Sequence, residues 1–111
     1  MKPSKELIGA STSLLVLAAL SREPSYGYQI VRGLNESADG IFTWSEGTIY
    51  PILHKLEKEK LLRTQWQDAD NGRSRKYYYI TARGRAALAN DVADWNQFHA
   101  LIGRLTGVQN A

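Results

Sequence analysis

The feature that most restricts the fold of this chain is a change in the spacing of apolar residues near residue 62. Before it, apolar residues recur every three or four positions, as in amphipathic helices, whereas Leu62, Thr64 and Trp66 alternate with polar residues as in a strand. The turn signal Asp70-Asn71-Gly72-Arg73 follows, and Lys76 to Ile80 is then a run of β-favouring aromatic residues. The sequence therefore predicts a β-hairpin preceded by helices.

Two helices are expected in the first 40 residues. The first spans Pro3 to Leu20 and carries apolar side chains on two neighbouring stripes, which implies two burial partners. The second starts at Pro24-Ser25, with Ser25 as its expected N-cap, and ends at Asp39-Gly40. The next four residues, Ile41 to Trp44, leave room only for a very short strand.

The remaining elements complete a recognisable order. A third helix is patterned from its expected Ser45 cap to Leu62, and a final helix from Ala82 to about Leu105 follows the expected N-cap Thr81. Three helices and a hairpin with a basic tip are the order of a winged helix-turn-helix, in which the third helix lies in the DNA major groove and the hairpin, or wing, meets the flanking backbone or minor groove.

We therefore expect a mainly α (α+β) fold, a winged helix-turn-helix with a long C-terminal dimerisation helix. Residues 1–80 would form the DNA-binding domain, residues 81–106 the dimerisation helix and residues 107–111 a frayed tail.

Positive charge is concentrated in the middle of the chain. Between Lys55 and Arg85, nine basic and four acidic residues give +5, whereas the whole chain carries +3. Such a segment suggests one surface that faces a polyanion, although a solvated charged face has the same composition. The chain has no cysteine, which excludes disulfides and thiolate ligands, and its apolar run Leu14 to Leu20 is too short to span a bilayer. A cytoplasmic location without a membrane partner is expected.

Pro51 interrupts the pattern of the third helix. It lacks an N–H and crowds the carbonyl of Gly47, four residues earlier. Because the apolar residues of this helix lie on the other side, Pro51 is expected to point outward, where a small, flat surface suits close approach to DNA. The alternative is a local kink near the helix start.

Three segments carry a resemblance to a known family: "YGYQIVRGL" from Tyr26, "GTIYPILHKLEKEKLL" from Gly47 and "GRSRKYYYITARGRAAL" from Gly72. In them the chain resembles the PadR-like transcriptional regulators, and its short C-terminal part resembles the small subfamily with a single dimerisation helix. Tyr26 stands where that family commonly has histidine, and Tyr79 where it commonly has arginine. The resemblance implies a dimeric, mostly repressive DNA-binding regulator of transcription, neither an enzyme nor a protein that needs a cofactor.

The candidate DNA contacts lie on the third helix and the hairpin. Hydroxyl groups near the helix start can donate to phosphate where the helix dipole favours an anion, and basic side chains farther along can reach base edges or phosphates. The candidates are Ser45, Thr48, Tyr50, His54, Lys55, Lys58, Arg73, Arg75 and Lys76. The third helix has no arginine, the commonest specific reader of guanine, so shape and backbone contacts are expected to matter more. For the hairpin residues a solvated tip is the alternative.

The last helix has an apolar stripe close to heptad spacing, which needs a partner helix. Self-association is the simplest choice, because two-fold dimers match palindromic operators. The residues expected at a dimer interface or effector site, including a spare stripe on the first helix, are Leu7, Leu14, Leu17, Leu88, Val92, Trp95, Phe98, His99 and Ile102.

Trp95 would face its own copy near the two-fold axis and leave a slot for a planar aromatic effector. The resemblance supports such a slot, because some short family members bind planar cations at a dimer interface. A filled aromatic core without ligand is the alternative.

Other classes of function have less support in the sequence. His54 and His99 lie on different elements with no nucleophile beside either, and no set of residues has metal-ligand spacing, so neither an enzyme nor a metal site is expected. The alternative is a winged-helix module that binds protein instead of operator DNA, for which weak salt dependence would be the sign.

Overall fold

The computed structural model describes residues 3–108, which form four helices and three strands. In chain order these are α1 (Lys5–Arg22), β1 (Ser25–Tyr26), α2 (Gly27–Ala38), α3 (Glu46–Lys58), β2 (Leu62–Asp68), β3 (Ser74–Ile80) and α4 (Ala82–Thr106). The strands form one antiparallel sheet in the order β1-β3-β2. The predicted winged helix-turn-helix with a long last helix is confirmed.

The core lies where the first three helices meet the base of the β2–β3 hairpin. Leu17 of α1 and Ile49 and Leu53 of α3 are almost completely buried, and Leu62 and Tyr78 close the core from the hairpin. Helix α3 therefore has one apolar face fixed in the core, which determines the face that it presents to solvent.

A hydrogen-bonded clamp fixes the loop between α2 and α3. The side chain of Asn35 accepts from the backbone N–H of Trp44 at 2.7 Å and donates to the Trp44 carbonyl at 3.1 Å. The indole N–H of Trp44 donates to the hydroxyl of Thr12 at 3.2 Å, and Thr12 donates to the Ile8 carbonyl at 2.7 Å. Both helices of the helix-turn-helix pair are thus held in a fixed relation to α1.

Two predictions about the second helix and its surroundings were wrong. Ser25 is not the N-cap of α2: it lies in β1 opposite Tyr78, and its hydroxyl donates to the side chain of Gln29, while Tyr26 occupies the cap position. The segment 41–44 forms no strand in the described structure, because the side chain of Asn35 already bonds both backbone groups of Trp44. The third strand is instead Ser25–Tyr26, which pairs with the free edge of β3.

The ends of the last two helices also differ in how well they were predicted. Helix α3 ends at Lys58 and not near Leu62, because the chain turns through a left-handed Lys60 (φ 64°) before β2 begins. The predicted bounds of α4 are confirmed. At its start the Thr81 hydroxyl accepts from the N–H of Gly84 at 3.0 Å, and at its end Gly107 adopts a left-handed conformation. Positions 109–111 of the predicted tail lie outside the described residues.

Candidate nucleic-acid interface

The start of α3 is small and polar. Ser45 caps the helix by accepting from the N–H of Thr48 at 3.2 Å, and the two hydroxyl groups are 3.1 Å apart. Gly47 is exposed, and a side-chain carbon added there would meet only the Ser45 hydroxyl, at an ordinary contact distance of 3.8 Å; Pro51 is exposed one turn later, as predicted. The first half of α3 therefore presents to solvent a surface of small side chains that project little from the helix.

Basic side chains continue this surface toward the end of the helix. We call the exposed side formed by Gly47, Pro51, His54, Lys55 and Lys58 the outer face of α3; all five residues are exposed. No carboxylate of the described chain forms an ion pair with either lysine. The lysines lie in the last turn of α3, opposite to the buried Leu53 and Leu56.

Tyr50 is placed differently from the other candidates on α3. It is half-buried, and a Cβ atom on Gly27 of α2 would overlap its ring. Burial, and then the negative charge of Glu46, raise the pKa of the Tyr50 phenol. Tyr50 thus helps to pack α3 on α2, and a phosphate contact through its hydroxyl stays a prediction.

The three basic residues predicted on the wing point in different directions. Arg73 is exposed at the tip, where its backbone N–H donates to the side-chain oxygen of Asn71 at 3.1 Å. The guanidinium of Arg75 stacks on the ring of Tyr26, 4.4 Å from its centroid, on the side of the sheet away from α3. Lys76 points to the opposite side and pairs with Glu57 of α3 at 3.2 Å.

Glu57 joins α3 to both strands of the wing, and sequence reasoning missed it. Its Oε2 accepts from the Thr64 hydroxyl at 2.8 Å, and its Oε1 accepts from Lys76 Nζ at 3.2 Å. The Thr64 hydroxyl lowers the pKa of Glu57 most; burial opposes this effect, and Lys76 then adds to it. Thr64 and Lys76 are 7 and 19 residues away, so no local spacing rule indicates the contact.

The residues predicted at a dimer interface fall into two groups. Leu17 was wrongly placed there, because it is only 1% exposed in the core of the protomer, and Leu88 is half-buried against that core. Leu7 is exposed and Leu14 half-buried on α1. The remaining candidates are exposed on α4: Val92, Trp95, Phe98, His99 and Ile102.

A shallow groove of about 350 Å³ separates α1 from the middle of α4. Leu14 lines it on one side, and Trp95 and Phe98 line it on the other. The rings of His99 and Trp95 are in edge-to-face contact, with centroids 5.2 Å apart. Asp91 and Asp94 also line the groove.

No helix within residues 3–108 combines the length and apolar character that a membrane crossing requires. Within the same range, no three histidine or carboxylate side chains are grouped so that they could share a metal ion.

A winged helix-turn-helix whose third helix presents two exposed lysines is typical of DNA-binding transcription factors. Comparison with known families identifies the kind: a model of the transcriptional regulator PadR-like family matches residues 16–90, and the chain belongs to this family. The resemblance seen in the three sequence segments is thereby confirmed.

Three relatives agree with this assignment. The transcriptional regulator Rv3488 of Mycobacterium tuberculosis is 49% identical over 47 residues, which are 42% of this chain and 43% of that protein. A PadR-like regulator from Bacillus cereus is 30% identical, with a TM-score of 0.81 over 95% of this chain and 100% of its own. A PadR family regulator from Eggerthella lenta is 34% identical, with a TM-score of 0.80 over 94% of this chain and 88% of its own. The protein is accordingly a transcriptional regulator and not an enzyme.

Proposed function

We propose that this protein is a homodimeric repressor that binds a pseudo-palindromic operator in the cytoplasm. The observation that carries the proposal is the outer face of α3, where a low surface around Gly47 and Pro51 runs into the exposed side chains of His54, Lys55 and Lys58. Such a surface can approach the floor of a major groove while its lysines reach phosphates. Two copies of α3 would enter successive major grooves about 34 Å apart.

The wing supplies a second contact. Arg73 at the exposed tip is the best placed of the basic hairpin residues to meet a phosphate or the minor groove, because no carboxylate of the described chain forms an ion pair with its guanidinium. The guanidinium of Arg75 lies over the Tyr26 ring, and an arginine held on an aromatic face can still donate N–H groups to a phosphate. We assign Ser45 and Thr48 to phosphate contacts at the start of α3.

The exposed apolar side of α4 supports the dimer. Val92, Trp95, Phe98 and Ile102 are 43%, 43%, 58% and 41% exposed. A contiguous apolar stripe on a long helix is typical of an interface, and a second copy of the chain supplies a matching stripe. Residues 1–80 would then be the DNA-binding unit and residues 81–106 the dimerisation helix.

The groove beside Trp95 suits an effector. Two aromatic rings, Trp95 and Phe98, give a flat apolar surface, and the carboxylates of Asp91 and Asp94 suit a positive charge on the same molecule. We propose a planar aromatic cation, which would act by favouring a dimer geometry whose two α3 helices miss the operator spacing.

The experiment that tests operator binding uses a duplex with the DNA upstream of the protein's own gene and a scrambled duplex, each at two salt concentrations. We expect the dimer to prefer the first duplex and to weaken steeply as salt rises. Arg73→Ala should reduce the slope of log affinity against log salt by about 0.9 for each phosphate that the arginine neutralises, whereas Arg104→Ala, at the far end of α4, should leave it unchanged.

Weak and equal binding to both duplexes would refute the proposal and favour the protein-docking alternative. For the effector, a planar cation such as proflavine is titrated without DNA while tryptophan fluorescence is followed. Trp95→Ala should abolish the saturable response, and Trp66→Phe should retain it. Loss of the dimer in Trp95→Ala would show a structural role instead.

A further inference from the structure

We propose that Glu57 is a positioning residue, which fixes the angle of the wing against the recognition helix and keeps Lys76 away from DNA. This inference rests on the proposed function, because it concerns how the wing is presented to an operator. According to this proposal Lys76 is not one of the DNA contacts, and its charge instead holds the wing against α3 by pairing with Glu57.

The geometry of the Glu57 carboxylate supports the first half of the proposal. Its two oxygens are used separately, one by Thr64 of β2 and the other by Lys76 of β3. Within the described residues, these are the only hydrogen bonds between α3 and the two long strands of the wing. One carboxylate in the last turns of α3 thus ties both strands to the helix, at Thr64, which pairs with Tyr78, and at Lys76, which pairs with Trp66 farther along the hairpin.

The place of this contact along the hairpin determines what it can control. Apolar packing holds the base of the hairpin through Leu62 and Tyr78, which are both 2% exposed. Farther out, opposite Lys76, Trp66 is 66% exposed and makes no such packing contact. The Glu57 contact therefore lies where apolar packing ends, and it sets the direction in which the outer part of the wing leaves the domain.

Charge and burial support the second half. The side chains of Lys76 and Glu57 are 29% and 33% exposed, so the pair is partly withdrawn from water. The ammonium group also lies 5.3 Å from the centroid of the buried Tyr78 ring. Burial alone would lower the pKa of Lys76, but Glu57 and Tyr78 together raise it, and Lys76 stays charged and paired near neutral pH. A lysine neutralised in this way releases few counterions when the protein binds DNA.

The test compares Glu57→Gln with Glu59→Gln in the full-length protein, with the same two duplexes. Both changes remove one negative charge near the end of α3, but Glu59 is exposed and makes no hydrogen bond to the wing in the described structure. Glu57→Gln should steepen the salt slope by about 0.9 per subunit as Lys76 becomes available to phosphate. It should also lower the preference for the operator, measured as the ratio of the affinities for the two duplexes, by roughly tenfold, because a hydrogen-bonded network is broken. Glu59→Gln should do neither.

A double variant, Glu57→Gln with Lys76→Met, separates the two effects. The salt slope should return to that of the unchanged protein, because the released charge is gone, while the preference for the operator stays low. A purely structural role of Glu57 would lower affinity without steepening the slope, and that result would overturn the proposal. Equal behaviour of Glu57→Gln and Glu59→Gln would overturn it too.

Thr64→Val provides a test that changes no charge. It should lower the preference for the operator by a smaller factor than Glu57→Gln and leave the salt slope unchanged. If Glu57→Gln fails to fold, Thr64→Val decides alone: an unchanged preference refutes the positioning role. If the unchanged protein prefers neither duplex, the proposed function fails and the inference fails with it. If the unchanged protein prefers the operator but Glu57→Gln and Glu59→Gln behave alike, only the inference is refuted.

Discussion

The first and last helices of this chain pack against each other, yet they are stabilised in different ways. Helix α1 has 18 residues and buries Thr12, Val16, Leu17 and Leu20 in the core. Helix α4 has 25 residues, and Gly84 in its first turn is the only one of them that is buried. The longer helix therefore obtains less of its stability from the protomer.

This difference indicates which of the two helices the core of the protomer stabilises. An isolated helix is marginal in water, and burial of an apolar face supplies most of the stability of a protein helix. Helix α1 has that burial within one chain. Helix α4 carries exposed apolar side chains instead, and in the proposed dimer a second copy of the chain would cover them.

The largest effect is expected in the buried face of α1. Leu17→Ala removes a core side chain that is 1% exposed, and we expect the free energy of unfolding to fall by about 2–5 kcal/mol, because apolar burial is reduced and a cavity is left behind. Leu7→Ala is the matched control on the same helix, because Leu7 is 57% exposed, and its change should stay within about 0.5 kcal/mol. Urea denaturation measures both. Similar decreases in the two variants would show that α1 is not divided as described.

A smaller effect tests how α4 is attached. A methyl group on Gly84 would overlap the backbone carbonyl oxygen of Leu61, so Gly84→Ala should cost about 1–3 kcal/mol, although alanine is the better helix former. Gly33→Ala in α2 is the control: nothing lies within 4 Å of the added carbon, and a gain of about 1 kcal/mol is expected. Thermal unfolding distinguishes opposite signs. A gain in both variants would mean that the α4 start is loosely packed.

The elements that could be predicted from sequence are those that local spacing specifies. The four helices follow from apolar periodicity and from the caps Ser45 and Thr81, and the hairpin follows from Asn71-Gly72, where Gly72 adopts the expected left-handed conformation (φ 79°). Strand β1 could not be predicted, because its two residues become a strand only by pairing with Tyr77 and Tyr78, some fifty residues later.

The candidate site was predicted less completely for the same reason. The exposed side chains of α3 follow from the helical period once its apolar face is known. Leu17 was misassigned because α1 shows two apolar stripes, and the spacing does not say which one enters the core. The partners of Tyr50, Glu57 and Lys76 lie on other elements, so their orientation depends on tertiary packing that no local pattern encodes.

The smallest effect is expected on the exposed apolar stripe of α4. Ile102 is 41% exposed on the apolar stripe of α4, and Gln97 is exposed on the opposite side of the same helix. In the proposed dimer Ile102→Ala should raise the dimer dissociation constant by about three- to tenfold, which is roughly 1 kcal/mol, whereas Gln97→Ala should leave it unchanged. The unfolding free energy of the protomer should change little in either variant, because neither side chain is buried there. Sedimentation over a dilution series measures the dissociation constant. Equal constants for the two variants would mean that a different surface covers α4, and the stripe would then need another partner.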